Sequence, residues 1–234
     1  FYEKRSDNLN RYNIPSPIAT VINWSYCVSN GYLVFIPDVV FRKGEPGASS
    51  YDAVVSGVKS LIDRYDFIDK DRIALNGHSW GGYQIAFLVT RTNMFKAAVS
   101  GAPVVNMTSA YGGIRWESGK SRMFQYEQTQ SRIGGTLWDK PAEFIRNSPL
   151  FFLPQVQTPV LIMHNDKDGS VMWEQGIEFF MALRRLDKPV WLFNYKGEGH
   201  HLKKWENRLD YSRRVMEFYD YYLKDGKKPE WMKS

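Results

Sequence analysis

The sequence holds a single cysteine, Cys27, so no internal disulfide can close and the fold must rest on its packing. It has no apolar run of the length that crosses a bilayer, which excludes a helical membrane span by pattern. It lacks a long basic tract. Its 31 Lys and Arg against 25 Asp and Glu leave a formal net charge of +6, scattered apart from short pairs at Lys203-Lys204 and Lys227-Lys228. Nucleic acid is therefore not an expected partner. No internal repeat and no low-complexity segment appears. No signal peptide opens the chain and no initiator Met precedes Phe1. The opening FYEKR reads as a continuation, so a piece of a longer protein is expected, and its compartment is unknown.

What is present is ordinary globular composition, with 234 residues of which 43% are hydrophobic and 24% charged, enough for one sizeable core. Apolar runs at 32–38, 72–76, 97–104, 159–164 and 190–195 predict strands. Between them lie stretches of helical spacing at 51–65, 82–90, 173–186 and 207–223. The stretch RKGEPGASS reads as a loop. Strands alternating with helices predict an α/β fold, a mostly parallel sheet with helices on both faces, in one domain over 1–234. Residues 106–153 break the pattern. They are polar and rich in Gly and aromatics, and they are expected to form an insertion over one edge of the sheet.

The stretch Gly77-His78-Ser79-Trp80-Gly81 fits G-x-S-x-G between a predicted strand and a predicted helix, the setting of a nucleophile elbow. A serine on so tight a turn takes strained backbone angles, and glycine two positions before and after lets the turn close. The turn lifts the hydroxyl above the sheet and brings a helix N-terminus near it, which favours developing negative charge. A serine needs a base, and the base an orienting acid. The four histidines are His78, His164, His200 and His201. His78 adjoins Ser79 on the elbow and is expected to point elsewhere. His164 ends a strand and is read as a packed structural residue. His200 follows Gly199 in the loop after the strand 190–195 and is preferred over its neighbour His201 as the base. In the loop HNDKDGSV, Asp166 and Asp168 both qualify as the acid by position. Ser, Asp, His is the chain order of α/β-hydrolases, and each partner falls on a loop at the C-terminal end of a strand.

A metal site is not expected. In an EF-hand register beginning at 164, an acid is required there and a Glu at 175, but His164 and Gln175 stand in those places. His200 and His201 are adjacent rather than four apart, so no zinc-binding helix motif appears.

These residues carry a resemblance. GHSWGGY (77–83), SGAPV (100–104), HNDKDGSV (164–171), WEQGIEFFMALRRLDKPV (173–190) and YKGEGHH (195–201) together resemble the catalytic domain of prolyl oligopeptidase family serine peptidases. The resemblance implies an α/β-hydrolase fold and peptide-bond hydrolysis through an acyl-enzyme, without a cofactor. It makes Ser79 the nucleophile, His200 the base and Asp168, rather than Asp166, the acid. It places the Trp80 amide and the Tyr2 hydroxyl in the oxyanion hole, and Val104, Met107, Ala110 and Val171 in the substrate pocket. Met107 and Ala110 stand where proline-specific dipeptidyl peptidases tend to carry aromatics, which weakens an expected preference for proline. It also implies an oligopeptide substrate and a β-propeller ahead of this domain in the parent chain, and leaves self-association open. A carboxylesterase or lipase would share the three catalytic residues, although the HGGG-type loop of many esterases is missing. A non-catalytic interaction module on the same fold is the remaining alternative.

Overall fold

The computed structural model describes residue 10 and residues 12–233. Its centre is a parallel sheet of β1 (Ala74–His78), β2 (Ala97–Gly101), β5 (Val160–Met163) and β6 (Val190–Phe193), paired in that order. Registers are regular: Asn76 lies opposite Val99, Val99 opposite Leu161, and Leu161 opposite Trp191. Parallel neighbours need a crossover, and helices supply it. These include α3 (Trp80–Val89) between β1 and β2 and α7 (Glu174–Arg185) between β5 and β6, while α2 (Pro46–Arg64) precedes the sheet in the chain and α8 (Trp205–Leu223) follows it.

Alternate side chains along each strand face opposite layers. Ala98, Val160 and Ile162 point to one core with Val54 and Val58 of α2, Ile85 and Leu88 of α3, and Phe179 and Leu183 of α7. Val99, Leu161 and Met163 point to the other, against Tyr211, Val215 and Phe218 of α8. The chain before α1 (Trp24–Ser29) is tied to α8, with Ile18 N donating to Ser212 Oγ and Arg208 Nη2 donating to the Pro17 carbonyl.

Residues 106–153 hold α4 (Met107–Tyr111), the short hairpin β3 (Ile114–Arg115) and β4 (Lys120–Ser121), α5 (Met123–Glu127), α6 (Pro141–Arg146) and the start of a 3₁₀ turn at Pro149–Gln155. Met107, Tyr111, Tyr126 and Phe144 from this segment bury a third cluster against Trp80 and Tyr83 of α3.

Two local expectations are corrected. Residues 32–38 form no strand. A strand needs a ladder partner, and a cavity of about 900 Å³ separates them from β1, lined by Tyr32 to Pro37 on one side and Ala74, Leu75 and Asn76 on the other. Paired strands lie only about 4.8 Å apart. The second correction concerns RKGEPGASS, half of which is helix. α2 begins at Pro46, because proline at the first helical position gives up an N–H that would be unpaired anyway.

Candidate active site

β1 runs through Gly77 and His78, and α3 starts at Trp80, so Ser79 alone makes the turn between them. Its backbone sits at φ 60°, ψ −120°, strained for a residue with a side chain. A Cβ on Gly77 would lie 2.5 Å from the Gly81 carbonyl oxygen, which explains the first glycine of the motif. Gly82 is a third required glycine, because a Cβ there would collide with the Gly101 carbonyl oxygen. That carbonyl also accepts the Ser79 N–H at 2.8 Å, and Ser100 Oγ donates to the Gly82 carbonyl at 2.9 Å. The SGAPV stretch thus clamps the elbow from the neighbouring strand. Trp80 is the first residue of α3, so its amide has no intrahelical acceptor. Tyr2 lies outside the described residues.

The acid and base loops meet at the ends of β5 and β6. His200 Nδ1 lies 2.7 Å from Asp168 Oδ2. Asp168 Oδ1 accepts the N–H groups of Ser170 at 2.8 Å and Val171 at 2.9 Å. Asn165 pins the two loops together, its Nδ2 donating to the Gly199 carbonyl and its Oδ1 accepting from Tyr195 N. Glu198 fixes the far side, accepting from the amides of Lys203 and Lys204 and from Asn207 Nδ2. Asp166 turns away from His200; its Oδ1 accepts the Gly197 amide at 2.7 Å. Position in the sequence could not separate Asp166 from Asp168, but the hydrogen bond to His200 does.

His164 is packed, and it also touches the acid. Its ring is fully buried, with Nε2 3.1 Å from the Val171 carbonyl and 3.3 Å from Asp168 Oδ2. Both neighbours are acceptors, so Nε2 carries the proton and donates. Burial pushes the Asp168 pKa upward, but hydrogen bonds from His164 and His200 overcome it and hold the carboxyl well below its ordinary range. Asp168 is therefore an anion, which favours the His200 tautomer with its proton on Nδ1 and a lone pair on Nε2. The only sequence signal for His164 was its place at the end of β5.

His78 does not point away from the site. Its ring centre lies 4.8 Å from that of His200 and 5.4 Å from that of His201, and the ring packs on Gly101. Burial, reinforced by the neighbouring imidazoles, lowers its pKa well below the usual value.

Val104, Met107, Ala110 and Val171 come together in one buried cluster with Trp80, Tyr83 and Tyr111. None of the four lines the cavity beside β1, which reaches Ser79, His78 and His201. Gln175 holds this region in place, with Oε1 accepting from the amides of Val105 and Asn106 and Nε2 donating to Ser109.

Known proteins are similar to this chain. The chain is 31% identical over 166 residues to the uncharacterized peptidase YuxL of Bacillus subtilis, covering 69% of this chain and 23% of that protein. It is 29% identical over 174 residues to the human acylamino-acid-releasing enzyme, covering 71% of this chain and 22% of that protein. The chain thus spans under a quarter of the length of these relatives. The solved acylaminoacyl peptidase of Pyrococcus horikoshii superposes with a TM-score of 0.70 at 20% identity, over 82% of this chain and 30% of that one. The fold is that of an α/β-hydrolase. A model described as the prolyl oligopeptidase family matches residues 22–226. That match takes in the elbow, the clamp on β2 and both loops of the Asp168–His200 pair, and the chain belongs to the prolyl oligopeptidase family.

Proposed function

We propose that the chain is the catalytic part of a serine peptidase that cleaves oligopeptides. The observation that carries this reading is the 2.7 Å contact between His200 Nδ1 and an anionic Asp168, with the His200 ring centre 4.8 Å from that of His78, the residue before a serine held at φ 60° on an elbow. Ser79 Oγ attacks the scissile carbonyl carbon while His200 Nε2 takes the hydroxyl proton. Asp168 keeps the proton of Nδ1 in place and stabilises the imidazolium that forms. The oxyanion is received by the Trp80 amide at the start of α3, and by the Tyr2 hydroxyl as a second donor. His200 then gives its proton to the leaving amine as the C–N bond breaks. Water attacks the acyl-enzyme, His200 takes a water proton and returns it to Ser79 Oγ, and the acid product leaves.

The residue before the cut is assigned to the apolar cluster of Val104, Met107, Ala110 and Val171, whose side chains are buried. The relatives are more than four times as long as the stretch they share with this chain, which supports a parent protein with further sequence. In this reading a β-propeller precedes the domain and restricts substrates to short peptides.

A fluorophosphonate probe tests the nucleophile. Labelling should occur on Ser79 and disappear in Ser79→Ala with the fold intact by circular dichroism. Labelling of another serine overturns the assignment. Paired amide and ester substrates separate a peptidase from an esterase with the same three residues.

A further inference from the structure

Three imidazoles, one of them next to Ser79 in the chain, lie together, and the peptidase reading uses only one of them. His78 ends β1, while His200 and His201 follow β6. Each offers one ligand atom, and these atoms all lie within 4.8 Å of one another. The ring centres form a near-regular triangle, with sides of 4.8, 4.8 and 5.4 Å. His78 is 5% exposed, and neither of its ring nitrogens has a hydrogen-bond partner among the described residues. A buried imidazole with both nitrogens idle forfeits what a hydrogen bond would return, so it calls for an explanation. His200 has Nδ1 committed to Asp168 and keeps Nε2 for another partner.

We propose that His78, His200 and His201 form a transition-metal site of the three-imidazole type, and that Zn²⁺ bound there switches the peptidase off. Three histidines and one water make a tetrahedral zinc set, with Zn–N bonds of about 2.0–2.1 Å. Ligand nitrogens in such a set are roughly 3.4 Å apart, as those bond lengths require. The present separations, at most 4.8 Å, must shorten to reach that value, and the exposed His201 side chain has room to turn toward the other two. Asp168 then acts on the metal as it acts in catalysis. A carboxylate that accepts the Nδ1 proton orients a ligating histidine and raises its basicity. The cavity beside β1 reaches two of the three rings, its lining including His78, Ser79 and His201. With Zn²⁺ on Nε2, His200 has no lone pair to take the Ser79 proton. Inhibition follows without any change in the fold. The sequence hid this site because two ligands are adjacent and the third lies more than a hundred residues away.

Loss of activity rests on His200 being the base, whereas metal binding does not, so binding is read separately. Ser79→Ala protein, which has no activity to lose, is titrated with Co²⁺. The expected result is the visible absorption of tetrahedral cobalt, displaced by Zn²⁺. No tetrahedral band overturns the site, whatever the enzyme does. In the wild-type protein, Zn²⁺ should inhibit peptide hydrolysis, and EDTA should reverse it. His201→Gln and, with its fold checked by circular dichroism, His78→Gln should each raise the half-inhibitory Zn²⁺ concentration by about tenfold or more. His201→Gln should keep metal-free kcat/KM within about twofold. Wild-type zinc sensitivity in both variants overturns the proposal.

Discussion

At the scale of single residues, two adjacent histidines have different surroundings, and different duties are expected of them. His200 meets Asp168 through Nδ1, whereas His201 packs on His78 and meets solvent. His200→Ala should lower kcat by roughly 10⁴–10⁶, the range for loss of a triad member, while His201→Ala should have little effect in metal-free buffer. Steady-state kinetics on a peptide substrate decides it, and the reverse ranking would make His201 the base. The elbow was legible because its glycines answer to steric demands that fix residue types locally. The inward turn of the His78 ring was not legible. It depends on Gly101, which lies 23 positions on and comes close only when β1 and β2 pair.

At the scale of elements, two contacts join neighbouring elements around the site. α3 approaches β2 so closely that Gly82 has no room for a methyl group. Gly82→Ala should destabilise the fold by about 1–3 kcal/mol, the usual range for overpacking. Urea unfolding would show it, and an unchanged midpoint would mean that helix and strand can separate at no cost. The other contact ties α8 to the end of β6. Asp210 accepts from Tyr195 Oη at 2.9 Å and from Arg214 Nε at 2.6 Å. Partial burial raises the Asp210 pKa, but the hydrogen bonds from Arg214 and Tyr195 outweigh it and leave the pKa below its usual value. A depressed carboxyl pKa stabilises the fold above the unfolded value of about 3.9, and this is lost as pH falls through the folded value. Asp210→Asn should therefore cost about 1 kcal/mol at pH 7, discounted for exposure. The gap to wild type should close in acid. Urea midpoints at pH 7 and near pH 3 test this, and a gap that widens in acid would remove Asp210 from the account.

At the scale of the whole molecule, the proposed substrate pocket draws on distant parts of the chain. Val104 follows β2, Met107 and Ala110 belong to α4, and Val171 ends the acid loop. All four are apolar and none can pair a charge. Met107 is flexible enough to adapt its shape, and Ala110 omits a ring that would stack on proline. One missing aromatic contact is worth about 1 kcal/mol. Ala, Leu and Met should therefore be accepted before the cut, with proline favoured by no more than about tenfold. Peptides varied only at that position provide the test. A proline preference above about a hundredfold would mean that Trp80 or Tyr111, which share the cluster, rebuild the stack. A preference for Lys or Arg would remove these residues from the pocket.

Local chemistry determined the alternation of strands and helices, the elbow at Ser79 and the loops that bear Asp168 and His200. Apolar periodicity and turn sterics act over a few residues, so they are written in the sequence. Three outcomes depended on tertiary contacts. Asp168 is distinguished from Asp166 by which carboxylate reaches His200. Residues 32–38 read as a strand but pair with nothing among the described residues, because strand formation needs a partner as well as propensity. The triangle of His78, His200 and His201 exists only because parallel pairing brings the ends of β1 and β6 to the same side of the sheet.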